Sequence, residues 1–152
     1  MKITTLCYIE HDGQYLMLHR IKKENDINEG KWIGVGGHAR MVNHPKNACS
    51  AKSRGNRLTL TSYRFRALIT FISDKQEPEL MCLFTADEFS GKLITCNEGD
   101  LKWVDKTIVP TLPTWEGDAI FLKLLLENEE NFFTLKLVYE GESLVDQKLE
   151  IY

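Results

Sequence analysis

Lys31-Trp32-Ile33-Gly34-Val35-Gly36-Gly37 runs directly into the segment from His38 to Leu60, HARMVNHPKNACSAKSRGNRLTL. Trp32 to Val35 reads as a short strand ending in two glycines, where backbone must come close to something. The segment after Gly37 is odd in composition. No Asp or Glu occurs from Gly30 to Ser73, although the chain holds 22 acids, and eight Lys and Arg fall in the same span. Ala48 to Arg54 has some helical propensity, but Ser50, Ser53 and Gly55 weaken it. It also lacks an apolar stripe with which to dock on a sheet.

Outward from this stretch, alternation and turn residues mark strands. Thr4 to Glu10 and Gln14 to Ile21 are β-rich runs on either side of His11-Asp12-Gly13, and Asp-Gly between such runs signals a hairpin. Lys22 to Gly30 is polar and reads as a loop. Leu58 to Ile72 and Pro78 to Phe84 are further strands, joined by a turn over Asp74 to Glu77. Leu101 to Val104 is a short strand. Asp118 to Glu127 carries Ile120, Phe121, Leu124 and Leu125 at helical spacing. Phe132 to Tyr139 and Leu144 to Ile151 form a last hairpin about Glu140-Gly141. Strands with two helices predict a layered α/β domain.

Composition narrows the class. The 152 residues suit one domain, residues 1–152, with a real core. Hydrophobic content of 43% and charged content of 27% are ordinary for a globular protein. No apolar run approaches the roughly 18 residues that span a bilayer, and Met1 to Glu10 lacks a signal-peptide layout. Cys7, Cys49, Cys82 and Cys96 are scattered without a C-x-x-C pair, which predicts reduced thiols and a cytoplasmic location. A net charge of −3 argues against binding nucleic acid polymers.

The Lys31 to Gly37 run resembles the start of the Nudix box of MutT-type hydrolases. That family pattern is G-x5-E-x7-R-E-U-x-E-E-x-G-U, with U aliphatic. Codons permitted for Met41 to Arg54, read from the third base of the Met41 codon, spell GESPEECLLREVK, the middle of such a box. A further phase shift over Arg54 to Arg57 spells EETG just before Leu58. The box thus reads as frame-shifted between Gly37 and Leu58. Outside it, Lys2 to Gly37 and Leu58 to Tyr152 are similar in layout to the 8-oxo-dGTP diphosphatase type. Glu77-Pro78-Glu79-Leu80-Met81 and Leu112-Pro113-Thr114-Trp115-Glu116-Gly117-Asp118 carry that similarity.

The resemblance implies an α/β/α sandwich with a mixed β-sheet. It implies a hydrolase that cleaves a nucleoside triphosphate, with oxidised purine deoxynucleotides among the candidates, to monophosphate and pyrophosphate. Mg²⁺, or Mn²⁺ in its place, would neutralise the phosphates and acidify the attacking water. In R-E-U-x-E-E the glutamates fall at i, i+3 and i+4, on one helix face. Here Lys52, Gly55 and Asn56 stand near those places; a protonated lysine cannot ligate Mg²⁺ and glycine brings no side chain. Hydrolysis by the literal sequence should be impaired. By the same resemblance, the Gly36 carbonyl and Glu98 are metal ligands, with Glu98 also a general base. Trp115 stacks on a purine and Asp118 bonds its edge. Lys23, with Arg20 and Lys22, could meet phosphates. Gly117 stands where relatives often carry a second acid, and Ile33 where some carry a base-reading Asn. Each has a plainer reading: Gly36 a tight turn, Glu98 a solvated loop acid, Lys23 a solvated cation, Trp115 a core aromatic at a helix start, Asp118 a first-turn acid favoured by the helix dipole. The alternatives to an enzyme are a catalytically dead nucleotide binder or a protein-interaction module, as monomer or homodimer, with no membrane partner.

Overall fold

Asp12 and Gly13 adopt φ of 50° and 74°, the pair of positive values that a two-residue hairpin turn requires. They join β1 (Lys2–His11) to β2 (Gln14–His19). The computed structural model describes residues 1–21, 25–38, 59–91 and 100–152. Its remaining strands are β3 (Trp32–Ile33), β4 (Val35–His38), β5 (Thr59–Ser73), β6 (Gln76–Ser90), β7 (Asp100–Asp105), β8 (Phe133–Glu140) and β9 (Ser143–Ile151). A 3-10 turn covers Val109–Thr111, and α1 covers Asp118–Leu126.

The first hairpin splits. β1 and β2 pair only at Glu10↔Tyr15 and His11↔Gln14. Away from the turn, β1 runs between β4, antiparallel, and β6, parallel from Lys2↔Glu79 to Ile9↔Ala86. β2 instead pairs with β3 and β7. β6 continues through β5 and β8 to β9, and the β5–β8 contact is parallel. The sheet is therefore mixed, as expected.

Burial follows the pleat. On β1, Tyr8 joins one apolar cluster while Cys7 and Ile9 join another, and on β2 Tyr15 and Met17 separate from Leu16 in the same way. Neighbours on a strand point to opposite faces, so both faces of these central strands are covered. On β8, Phe133, Leu135, Leu137 and Tyr139 alternate with more exposed residues. They meet Phe121, Leu122 and Leu125 of α1, each side chain contributing about 1.5–3 kcal/mol by leaving water. α1 covers this face. The second expected helix, Ala48 to Arg54, lies outside the described residues.

Several boundaries differ from expectation. The strand read as Trp32 to Val35 is interrupted at Gly34, and Gly36 and Gly37 lie inside β4 rather than after a strand. The close approach inferred for these glycines is to β1. A Cβ on Gly36 would sit 1.9 Å from the Thr5 carbonyl oxygen, and one on Gly34 2.8 Å from that of Cys7. β5 and β6 form a 15-residue hairpin each way, bulged at several points. Pro78 sits within β6 rather than opening it.

Candidate functional site

Where β1 and β2 part, a cleft of about 890 Å³ opens. β1, β3 and β4 line it with Thr4, Leu6, Ile33 and Gly36; the β5–β6 hairpin adds Phe71, Glu79 and Met81; Trp115 comes from the approach to α1 and Asp118 from its first residue. Of the residues singled out in the sequence, Gly36, Trp115 and Asp118 therefore share one cleft. Glu98 and Lys23, and the box positions Lys52, Gly55 and Asn56, lie outside the described residues.

Trp115 is 5% exposed and belongs to the core cluster. Its ring meets Phe71 and Tyr139 edge-on, with centroids 5.1 and 5.0 Å away. Its indole N–H donates to Asn28 Oδ1 at 2.7 Å. Lys31 Nζ lies 4.5 Å from the ring centroid and 2.7 Å from Glu142 Oε1, a cation–π geometry. Trp115 belongs to the core and also lines the cavity.

Asp118 is buried at the first turn of α1. Burial pushes its carboxyl from the usual 3.8 to about 7, against the opposing pull of a Trp115 backbone hydrogen bond and the Lys31 charge. It can thus present either a donor or an acceptor near neutral pH. Tyr8 lies behind it. Its burial, and secondarily the Asp118 charge, drive the Tyr8 phenol well above its ordinary range, while a Gly34 backbone hydrogen bond opposes this. Gly117, where the resemblance leads to a second acid being expected, is tightly packed. A Cβ there would meet Leu137 at 2.5 Å and the Tyr139 hydroxyl at 2.6 Å, and that hydroxyl accepts the Gly117 N–H at 2.7 Å.

Much of the rest of the wall was not singled out as a site. Arg20, which could meet phosphates, lines the cleft and donates its Nε–H to Asp26 Oδ2 at 2.6 Å, with both side chains largely buried. Asp26 also accepts the Asn28 N–H, fixing the loop that holds Trp115. Across the cleft, Glu79 accepts from Thr4 Oγ1 at 2.7 Å and from Gln76 Nε2 at 3.2 Å, with Lys2 Nζ 3.6 Å away. Polar loop residues carry no periodic signal, so only the Glu77-to-Met81 resemblance pointed toward this wall.

A divalent cation of the Mg²⁺ type needs several oxygen ligands. Among the described residues no three His, Cys, Asp or Glu side chains converge on a common point. The span from Gly30 to Ser73 offers no carboxylate at all. Of the ligands expected for such an ion, the Gly36 carbonyl belongs to the cleft and Glu98 lies outside the described residues. No helix among the described residues is long and apolar enough to cross a membrane, and Cys82 is a free thiol.

No family model matches the sequence. Solved structures do. A MutT mutator protein from Bacillus halodurans superposes with a TM-score of 0.83 at 21% identity, over 99% of this chain and 98% of that one. A MutT Nudix hydrolase from Burkholderia pseudomallei gives 0.64 at 18%, over 80% and 95%. An ADP-ribose pyrophosphatase from Streptococcus suis gives 0.52 at 17%, over 89% and 97%. The split first hairpin, the mixed sheet and the cleft between Gly36 and Trp115 are built on the fold of the MutT-type Nudix hydrolases.

Proposed function

We propose that this protein is a Nudix-type nucleotide hydrolase scaffold that binds a nucleotide in the cleft, with metal-dependent turnover impaired in the sequence as it stands. One observation carries the reading: Trp115 and Asp118 line the same cavity as the Gly36 backbone. An aromatic surface beside an edge-reading carboxyl suits a purine. Phe71, Met81 and Ile33 extend the apolar lining, and Asn28 holds the indole in place. The phosphate chain would extend toward Gly36. In an intact box, water would attack a phosphorus of the triphosphate and release a nucleoside monophosphate and pyrophosphate. Here Lys52, Gly55 and Asn56 stand where that chemistry needs glutamates. Arg40, Lys46, Lys52, Arg54 and Arg57 make the segment basic, which suits holding phosphates rather than cleaving them.

The test is a panel of nucleoside triphosphates, oxidised purines included, read by thermal shift and by pyrophosphate release with and without Mg²⁺. Stabilisation without turnover supports the reading, since a ligand of the folded state raises its melting temperature. Brisk Mg²⁺-dependent turnover by protein whose intact mass matches the literal sequence would refute the impairment. A response to no nucleotide would leave a protein-interaction role on the same scaffold.

A further inference from the structure

β9 ends the sheet. Among the described residues it pairs with β8 alone, and its outer edge faces no other strand. Val145, Leu149, Ile151 and Tyr152 are 50%, 40%, 46% and 66% exposed. A long edge with exposed apolar side chains invites another strand. Its two faces differ. Leu149 lies opposite Leu135 and Ile151 opposite Phe133, on the α1 side. Asp146, Lys148 and Glu150 lie opposite Val138, Lys136 and Thr134, on the other side.

We propose that this edge pairs with the same edge of a second copy of this chain, antiparallel, about a two-fold axis at Leu149. The charge order carries the choice of partner. Residues facing each other across an antiparallel pair share a face, and the outer face runs acid, base, acid. With the axis at Leu149, Lys148 faces the partner's Glu150 and Glu150 faces the partner's Lys148. Leu149 meets its own counterpart, and Ile151 covers Gln147 on each side. An axis at Lys148 would oppose like charges throughout, Lys148 against its own counterpart and Asp146 against Glu150 on each side. An axis at Gln147 would run the pairing through the irregularity beside Val145, where the register with β8 shifts; at Leu149 the irregularity stays outside the paired span. The features that usually blunt an edge, a bulge and a lysine, are thus placed so that they do not oppose this pairing. The Lys148–Glu150 contact within one strand, 3.1 Å, leaves both groups exposed and available to the partner. The arrangement closes on itself, because each edge is used once. It leaves Glu142 and the cleft at the far end of the strand uncovered.

Sedimentation velocity over a concentration series tests this on the full chain. The wild type should shift from monomer to dimer. Lys148→Glu should weaken the dimer about tenfold or more, since two favourable cross-strand pairs become two repulsive ones. The exchange variant carrying Lys148→Glu with Glu150→Lys should restore it. Thermal denaturation of each variant confirms that the fold is intact, as these side chains are exposed. A wild-type chain that stays monomeric into the sub-millimolar range overturns the proposal, as does growth beyond the dimer. A folded Lys148→Glu variant that dimerises normally overturns it too, and so does an exchange variant that fails to recover.

Discussion

Asp118→Asn should stabilise the fold, and the gain should depend on pH in a set way. In the unfolded chain the Asp118 carboxyl ionises near 3.8; in the fold, buried, it ionises near about 7. Below the lower value both states hold the proton and burial carries no ionic penalty. As the pH rises between the two, the unfolded chain releases a proton that the folded chain retains. Stability then falls by about 1.4 kcal/mol per pH unit. Over roughly three units this reaches about 4 kcal/mol, complete once the pH passes the folded value. Asparagine keeps the shape and an acceptor for the Trp115 backbone, and it carries no charge to bury. The variant should therefore gain about 2–3 kcal/mol over the wild type between about pH 5 and about pH 8. Urea unfolding at several pH values reads this directly from the midpoint at constant m-value. A difference that stays flat with pH, or that shrinks as pH rises, would refute the assignment of Asp118 as a buried, neutral-leaning acid.

Asn28→Ala should remove the acceptor of the Trp115 indole N–H, now bonded at 2.7 Å. It should cost about 1–3 kcal/mol in urea unfolding and reduce any nucleotide-induced thermal shift. Tyr139→Phe removes the hydroxyl that accepts the buried Gly117 N–H; a loss of about 1–3 kcal/mol is expected by the same measurement. Gly36→Ala places a methyl 1.9 Å from the Thr5 carbonyl oxygen, so β4 must leave β1. Soluble yield should collapse, or stability should fall by about 3 kcal/mol or more; near-normal melting would show that β4 does not pack as described.

What the sequence disclosed depended on how local each signal was. Asp12-Gly13 announced its hairpin because positive φ at two successive residues selects few residue types. Phe121, Leu124 and Leu125 announced α1 by spacing alone. Trp115 and Asp118 were legible through a short similar run, and they do share a cleft with Gly36. The splitting of β1 from β2 after two residue pairs was not legible, because it is decided by β6 and β7, far along the chain. The largely buried pairing of Arg20 with Asp26 was not legible either. Glu79 and Asn28 belong to the site only through partners distant in sequence. Pro78 looked like a strand boundary, yet β6 runs through it.

The crowding at Gly117 constrains how this cleft can change. Any heavier residue there collides with Leu137 and with the phenol of Tyr139. A second acid beside Asp118 could enter only if the ends of the Leu137 and Tyr139 side chains gave way, and moving the phenol gives up its hydrogen bond with the Gly117 N–H. The residue beside Asp118 and the packing beneath α1 are therefore coupled in this chain, and a change at Gly117 would be expected to leave its trace on β8.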